Sequence, residues 1–116
     1  MSATSRPDTC TLYAVYWRAE GVLKVGRGQD DARHKTWIRR GAEVAMLLTD
    51  VPVEWERAAL DALRGPFLRA FDTEREARWL LGTSYGHTEC FIVPAERRLE
   101  ALALVAAAIS RQGDIS

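Results

Sequence analysis

The sequence predicts an α/β domain of the α+β type, in which a small, mainly antiparallel three-stranded sheet is flanked by helices and covered by a C-terminal helix. Residues 12–17 and 22–26 are β-branched and aromatic runs separated by a four-residue loop, which is typical of an antiparallel hairpin. Segments with helical periodicity follow, and the last is rich in alanine. The 116 residues, 47% hydrophobic and 28% charged, suit a single globular domain.

The hairpin has a predictable register because its loop, residues 18–21, is short. With all four loop residues outside the ladder, the facing pairs are Trp17 with Val22, Val15 with Lys24, and Tyr13 with Gly26. Side chains alternate between the two faces of a sheet. Tyr13 and Lys24 are therefore predicted on one face, one diagonal step apart.

Capping residues, prolines and glycines mark four helices beyond the hairpin. The first helix is predicted from Asp30 or Asp31 to about Arg40, and the second begins at Asp50, has Pro52 in its first turn and ends at Gly65. The third helix is predicted from Asp72 or Thr73 to Leu81, and the fourth from Pro94 to about Arg111. Residues 42–48 give the third strand, and residues 89–93 give a short strand or extended segment. The domain then covers residues 12–93, with 94–116 as a helix packed on it and 1–11 as a disordered or extended N-terminus.

The charge of the chain is balanced overall but uneven along its length. Lysine plus arginine and aspartate plus glutamate number 16 each, yet the cationic residues exceed the acidic ones by four within residues 24–41. Such a segment forms either an anion site or a solvated basic helix face. Arg33 and His34 begin the basic helix, where each belongs either to an anion site or to a solvated first turn.

Nothing in the sequence indicates a membrane or secretory protein. Residues 1–11 are polar and lack the apolar core of a signal peptide, and no apolar run approaches the roughly 20 residues that span a bilayer. Cys10 and Cys90 form no CxxC pair, which excludes the common zinc and thioredoxin patterns. We therefore expect a cytoplasmic protein with free thiols.

One acidic residue falls where the helical pattern predicts burial. In the helix after Pro52, a rotation of 100° per residue places Val53, Glu56, Leu60 and Leu63 on one stripe. A carboxylate in such a stripe is unfavourable unless it is paired, bound to a metal ion or open to a cleft. Glu56 is therefore either the partner of an arginine or a metal ligand at the floor of a groove.

Lys24 is a second exception, because it interrupts an apolar strand on the face that carries Tyr13. A lysine there either discourages aggregation at a sheet edge or takes part in chemistry, and Tyr13 either packs in the core or joins it. His87 is a weaker candidate, since lone histidines are more often structural. Glu89 is expected to be a cap or the charge partner of an arginine.

Taken in order, these positions resemble the GIY-YIG endonuclease superfamily. The resemblance lies in a first motif at residues 12–16 that contains Tyr13, a second at residues 23–27 with Lys24 as in the phage-type branch, and the late element Gly-His-Thr-Glu-Cys-Phe at residues 86–91. Arg33, with His34 as its rival, matches the arginine of the family, and Glu56 matches the glutamate. The first motif lacks its usual glycine, and no late asparagine is evident.

The resemblance implies a metal-dependent nuclease that hydrolyses phosphodiester bonds in DNA. Tyr13 would act as general base or orient the attacking water, and Lys24 would supply positive charge or take the proton itself. Arg33 would bind the scissile phosphate, and Glu56 would hold one Mg²⁺ or Mn²⁺ ion. The residues implied to position the nucleic-acid backbone are Arg27, Lys35, Arg39 and Arg40.

Two other interpretations stay open at this point. A GIY-YIG-like domain that binds nucleic acid without cutting it is compatible with the lysine in the second motif and with the zero net charge. A small protein-interaction module, dimeric through the alanine-rich C-terminal helix, is also compatible with the sequence.

Overall fold

The computed structural model describes residues 9–29, 33–82 and 86–114, which form an antiparallel sheet with helices against both faces. The strands are β1 (Thr9–Trp17), β2 (Val22–Gly28), β3 (Glu43–Pro52) and β4 (Cys90–Ile92). The helices are α1 (Arg33–Ile38), α2 (Glu54–Arg64), α3 (Glu74–Leu81) and α4 (Arg98–Asp114), with 3₁₀ turns at His87–Glu89 and Ala95–Arg97. The predicted α+β class is confirmed, with four strands in the described residues instead of three.

The β1–β2 hairpin has the register that its loop length predicts. The pairs Trp17 with Val22, Val15 with Lys24, and Tyr13 with Gly26 all form. The strand order is β3-β1-β2-β4, so both hairpin strands lie inside the sheet. The fourth strand, β4, forms because the short segment at residues 90–92 pairs with β2.

Alternating side chains of the hairpin supply a core on each face of the sheet. On one face, residues of β1 and β2 pack against α2 and α4: Leu12, Ala14, Tyr16, Leu23 and Val25. On the other face, residues of the same strands pack with α1 and α3: Tyr13, Val15, Trp17 and Val22. A sheet buried on both faces explains why the hairpin strands read as nearly continuous apolar runs.

The connection from β3 to α2 differs from the sequence prediction. β3 runs on to Pro52, and Asp50 lies within it at a φ of +58° instead of capping a helix. Residues Val51 and Pro52 pair with the first residues of β1, which extends the strand past its predicted end. The prediction of an Asp50 cap with Pro52 in the first helical turn is therefore wrong.

The other boundaries shift by a few residues. β1 begins at Thr9 instead of residue 12, and α1 ends at Ile38, two residues before the predicted end. The predicted caps Asp30 and Asp31 lie outside the described residues. For α3, Thr73 is the cap: its side chain accepts from the backbone N–H of Glu76, whose carboxylate accepts from the N–H of Thr73 in return.

The C-terminal helix α4 covers the core, as the sequence predicts. Ala101, Val105 and Ile109 are buried against the face of the sheet that also carries α2. The helix begins at Arg98, after the 3₁₀ turn that follows Pro94. Its apolar residues thus serve the packing of this chain, and a homodimer through α4 stays a prediction.

Among the helices in the described part of the chain, none is both long enough and apolar enough to cross a bilayer.

Candidate active site

A polar cavity of about 270 Å³ lies near the carboxyl end of β2. The described residues that line it are Tyr13, Lys24, Arg27, Arg33, Trp37, Glu56, Gly86 and Glu89. The tyrosine, lysine, arginine and glutamate singled out in the sequence come from β1, β2, α1 and α2 respectively, and the fold brings all four to this cavity.

Tyr13 lines the cavity and has only 1% of its surface exposed. Its hydroxyl oxygen accepts a hydrogen bond of 2.8 Å from the indole Nε1–H of Trp37. The phenol ring lies over the backbone of Gly26, where an added Cβ would lie 2.6 Å from the ring carbon Cζ. The position opposite Tyr13 in the hairpin therefore requires glycine.

Lys24 is a buried cation in the interior of the sheet. Its Nζ lies 2.6 Å from Oε1 of Glu89 and 5.1 Å from the centre of the Trp37 ring. Burial acts to lower the pKa of Lys24, but Glu89, with help from Tyr13 and Cys90, outweighs burial and raises it above the usual value. Lys24 is therefore an ammonium group at neutral pH, and its interpretation as an edge-strand lysine is wrong because β4 pairs beside it.

The segment that follows α3 approaches Lys24 closely because Gly86 has no side chain. An added Cβ at Gly86 would lie 2.6 Å from Nζ of Lys24, and Gly86 has a φ of +85°. Both features favour glycine at this position. Gly86 and Glu89 both belong to residues 86–91, the late element that resembles the family motif, and both lie close to Nζ of Lys24.

Glu56 has an arginine partner and also lines the cavity. Its side chain is 14% exposed and lines the cavity, while Oε1 lies 3.4 Å from Nε of Arg27. Burial, together with the nearby carboxylate of Glu89, raises the pKa of Glu56, whereas Arg27 and Lys24 oppose that shift. The acid is thus paired with an arginine that itself lines the cavity.

Glu56 is the residue of the cavity that could hold a hydrated divalent cation. Mg²⁺ keeps several waters and binds through one or two carboxylates together with substrate phosphate oxygens. Glu56 supplies one carboxylate beside a polar space, and the carboxylate of Glu89 is already bonded to Lys24. Among the described residues, no group of three or more His, Cys, Asp or Glu side chains is placed to hold a metal ion, so a dedicated protein cage is not the arrangement seen here.

Arg33 and His34, the two rivals for the arginine of the family, face different surroundings. Arg33 is exposed and lines the cavity. His34 is buried, its ring centre lies 6.4 Å from that of Tyr13, and its Nδ1 has no hydrogen-bond partner among the residues that the structure describes. Because His34 is not among the described residues that line the cavity, Arg33 is the better placed of the two to meet a ligand.

The four cations expected to hold a nucleic-acid backbone also differ. Arg27 lines the cavity, and Lys35 and Arg39 are exposed. Arg40 has a structural contact, since its Nε and Nη2 donate to the carbonyl oxygens of Leu80 and Trp79 at 3.1 and 3.2 Å. Its guanidinium therefore satisfies carbonyl groups at the end of α3.

The sequence gives no signal for one residue of the site and the wrong partner for another. Trp37 reads as an ordinary core residue of a short amphipathic helix, and nothing in its spacing marks a contact with Tyr13. The sequence predicts Glu89 as a cap or as the charge partner of an arginine, whereas its partner is Lys24, 65 positions away. The available signal for Glu89 was the late element at residues 86–91. The other residue of that element considered as a candidate, His87, is partly buried and not among the described lining residues.

Comparisons of the chain with protein-family models, with curated proteins and with solved structures found no match. The function is therefore inferred from the geometry of the cavity.

Proposed function

We propose that the protein is a GIY-YIG-type nuclease that hydrolyses phosphodiester bonds in DNA with the help of one Mg²⁺ or Mn²⁺ ion. The observation that carries the proposal is the meeting of Tyr13, Lys24, Arg33 and Glu56 in one cavity. The four residues come from four separate elements and follow the order of the family motifs. Burial of apolar side chains does not explain why these four polar residues line the same cavity.

The charges of the cavity suit a phosphodiester. Among the described residues that line it, three cations, Lys24, Arg27 and Arg33, outnumber two carboxylates, Glu56 and Glu89, so this lining favours an anionic ligand. A volume of about 270 Å³ is at the lower end for ligand pockets, so it suits a phosphate and its ester oxygens better than a whole nucleotide. The rest of the substrate would then lie outside, near the exposed Lys35 and Arg39.

Each side chain has a distinct part in the hydrolysis. Tyr13 orients the attacking water and acts as general base, accepting the proton that the water loses as its oxygen bonds to phosphorus and the bond from phosphorus to the leaving oxygen breaks, while Lys24, kept as an ammonium group by Glu89, supplies positive charge beside it. Arg33 binds the phosphate oxygens on which charge develops. Glu56 would hold the divalent cation, which would supply positive charge to stabilise the leaving oxygen.

The test is cleavage of supercoiled plasmid and short duplex DNA by the purified protein with Mg²⁺ or Mn²⁺, with EDTA as the metal-free arm. Glu56→Gln is expected to lower the rate at least about 100-fold. Glu54→Gln is the matched control, because Glu54 lies on the same helix and is exposed. Absence of metal-dependent cleavage in the wild type, or equal rates for Glu56→Gln and the control, would overturn the nuclease proposal.

One observation favours a second candidate, a module that binds nucleic acid without cutting it. Both carboxylates of the cavity already have cationic partners within the protein, Arg27 for Glu56 and Lys24 for Glu89. For such a module we expect binding that weakens with salt, remains in EDTA and is reduced when Lys35 and Arg39 are both changed to glutamine. Metal-dependent turnover that Glu56→Gln abolishes would reject this candidate.

A further inference from the structure

Trp37 makes two contacts with the polar residues of the cavity. Its Nε1–H donates to the hydroxyl oxygen of Tyr13 at 2.8 Å, and its ring centre lies 5.1 Å from Nζ of Lys24. The side chain is 4% exposed. One indole group therefore touches both hairpin residues that would activate the water.

We propose that Trp37 is the positioning residue of the active site, and that its indole N–H directs the hydroxyl of Tyr13 toward the substrate water. This inference rests on the proposed nuclease function. A phenol oxygen that accepts a hydrogen bond from the protein keeps its own O–H for a different acceptor. With Nε1–H on one side of the oxygen, the remaining lone pair and the O–H are available to groups within the cavity.

The indole is well placed for this task because its orientation is fixed by packing. The ring of Trp17, itself 1% exposed, meets the Trp37 ring edge-on with their centres 6.2 Å apart. Lys24 lies within cation–π range of the same ring. A group held on several sides loses little freedom when the substrate arrives, which is the requirement for a preorganised site.

The position of Trp37 on α1 links two functions of the site. Arg33 and Trp37 are four residues apart on α1, so their side chains lie on the same helical face, and both line the cavity. The helix that carries the phosphate-binding arginine thus also carries the donor to Tyr13. Placement of the phosphate and orientation of the water are coupled through one short helix.

The decisive variant is Trp37→Phe, assayed for kcat and KM on a duplex DNA oligonucleotide with Mg²⁺ across a range of pH. We expect kcat to fall about 10- to 100-fold, as for loss of one oriented hydrogen bond, with KM within about twofold of wild type. We also expect an altered pH profile of kcat. In a Tyr13→Phe background, Trp37→Phe should cause little further loss, because its acceptor is gone.

The matched control is Tyr16→Phe. Tyr16 is a buried aromatic residue of the core on the other face of the sheet, and its hydroxyl donates to the carbonyl oxygen of Val93 at 2.7 Å, away from Tyr13. We expect it to lose stability, as Trp37→Phe does, but to keep kcat and the pH profile of the wild type. Should Trp37→Phe fail to fold, replacement of Trp37 by 3-benzothienylalanine keeps the bicyclic ring and removes only the N–H.

The outcomes separate this inference from the proposed function. No metal-dependent turnover in the wild type removes both the nuclease proposal and the role of Trp37. Turnover in the wild type with an unchanged kcat and pH profile in the Trp37 variants overturns the inference alone. Equal losses of kcat in the Trp37 and Tyr16 variants would also overturn it, because general loosening of the core would then explain the effect.

Discussion

Nζ of Lys24 lies 2.6 Å from Oε1 of Glu89, in an ion pair whose lysine side chain is 2% exposed and whose glutamate side chain is 27% exposed. The lysine belongs to the middle of the sheet and the glutamate to a 3₁₀ turn late in the chain. A buried cation needs a partner, since isolated charges are strongly disfavoured in a protein interior. The ion pair thus ties the late segment of the chain to the hairpin.

Loss of the carboxylate at this ion pair should destabilise the fold. Glu89→Gln leaves the Lys24 ammonium buried without its partner, and removal of one member of a buried pair costs roughly 3 kcal/mol. The free energy of unfolding in urea is the measurement, with Glu20→Gln in the exposed hairpin loop as the control. Equal stability of the two variants would show that Glu89 does not compensate the charge of Lys24.

The same pair predicts an alkaline limit of stability. The pKa of Lys24 in the folded protein is raised above its ordinary value of 10.5. A group with a raised folded pKa contributes stability that is fully present below the unfolded pKa and is lost as the pH rises through the folded pKa. Wild type should therefore lose stability above about pH 10.5 more steeply than Lys24→Met. Parallel urea midpoints between pH 9 and pH 12 would contradict this expectation.

A methyl group at Gly26 should disturb the site directly. The added Cβ would lie 2.6 Å from Cζ of Tyr13, so Gly26→Ala requires the buried phenol to move, at a cost of about 1–3 kcal/mol. Ser110→Ala on the exposed face of α4 is the control, because its side chain lies away from the site and the core. We expect the control to be neutral or slightly stabilising in thermal unfolding, since alanine is the better helix former. Similar melting temperatures for both variants would refute the close approach of Tyr13 to Gly26.

Both thiols should be inert in the native protein. Burial raises the pKa of Cys90 to about 12, and it also raises the pKa of Cys10. Cys90 is fully buried and Cys10 is 4% exposed, so neither presents a thiolate to solvent at pH 8. A thiol reagent such as Ellman's reagent should react slowly in buffer and with both cysteines in denaturant. Rapid reaction of one thiol in buffer would show that its surroundings are open.

Local sequence signals were sufficient for the hairpin and insufficient for the contacts made late in the chain. The register of β1 and β2 followed from a four-residue loop and strict alternation, so Tyr13 and Lys24 could be placed on one face in advance. Asp50 failed as a predicted cap because pairing of residues 51 and 52 with β1 extended the strand. A cap is a local preference, and pairing with a distant strand overrides it.

The site could be predicted only in part, because some of its contacts follow from local sequence signals and others from how distant segments pack. Glu56 was recognisable because a charge within an apolar helical stripe breaks a local rule. Trp37 breaks no rule, since a buried tryptophan on a helix is ordinary, and its bond to Tyr13 depends on how α1 docks on the sheet. The partner of Lys24 depended likewise on the path of the chain through α3 and the turn before β4.

Because the sheet is packed on both faces, two residues of the site are held together by one hairpin and the other two lie on separate helices. Tyr13 and Lys24 are held by one ladder of backbone hydrogen bonds, so their spacing is fixed by the hairpin. Glu56 belongs to α2 and Arg33 to α1, helices whose buried residues join cores on opposite faces. A sliding motion of one helical layer over the sheet would therefore alter the gap between acid and arginine while the tyrosine–lysine spacing stayed constant.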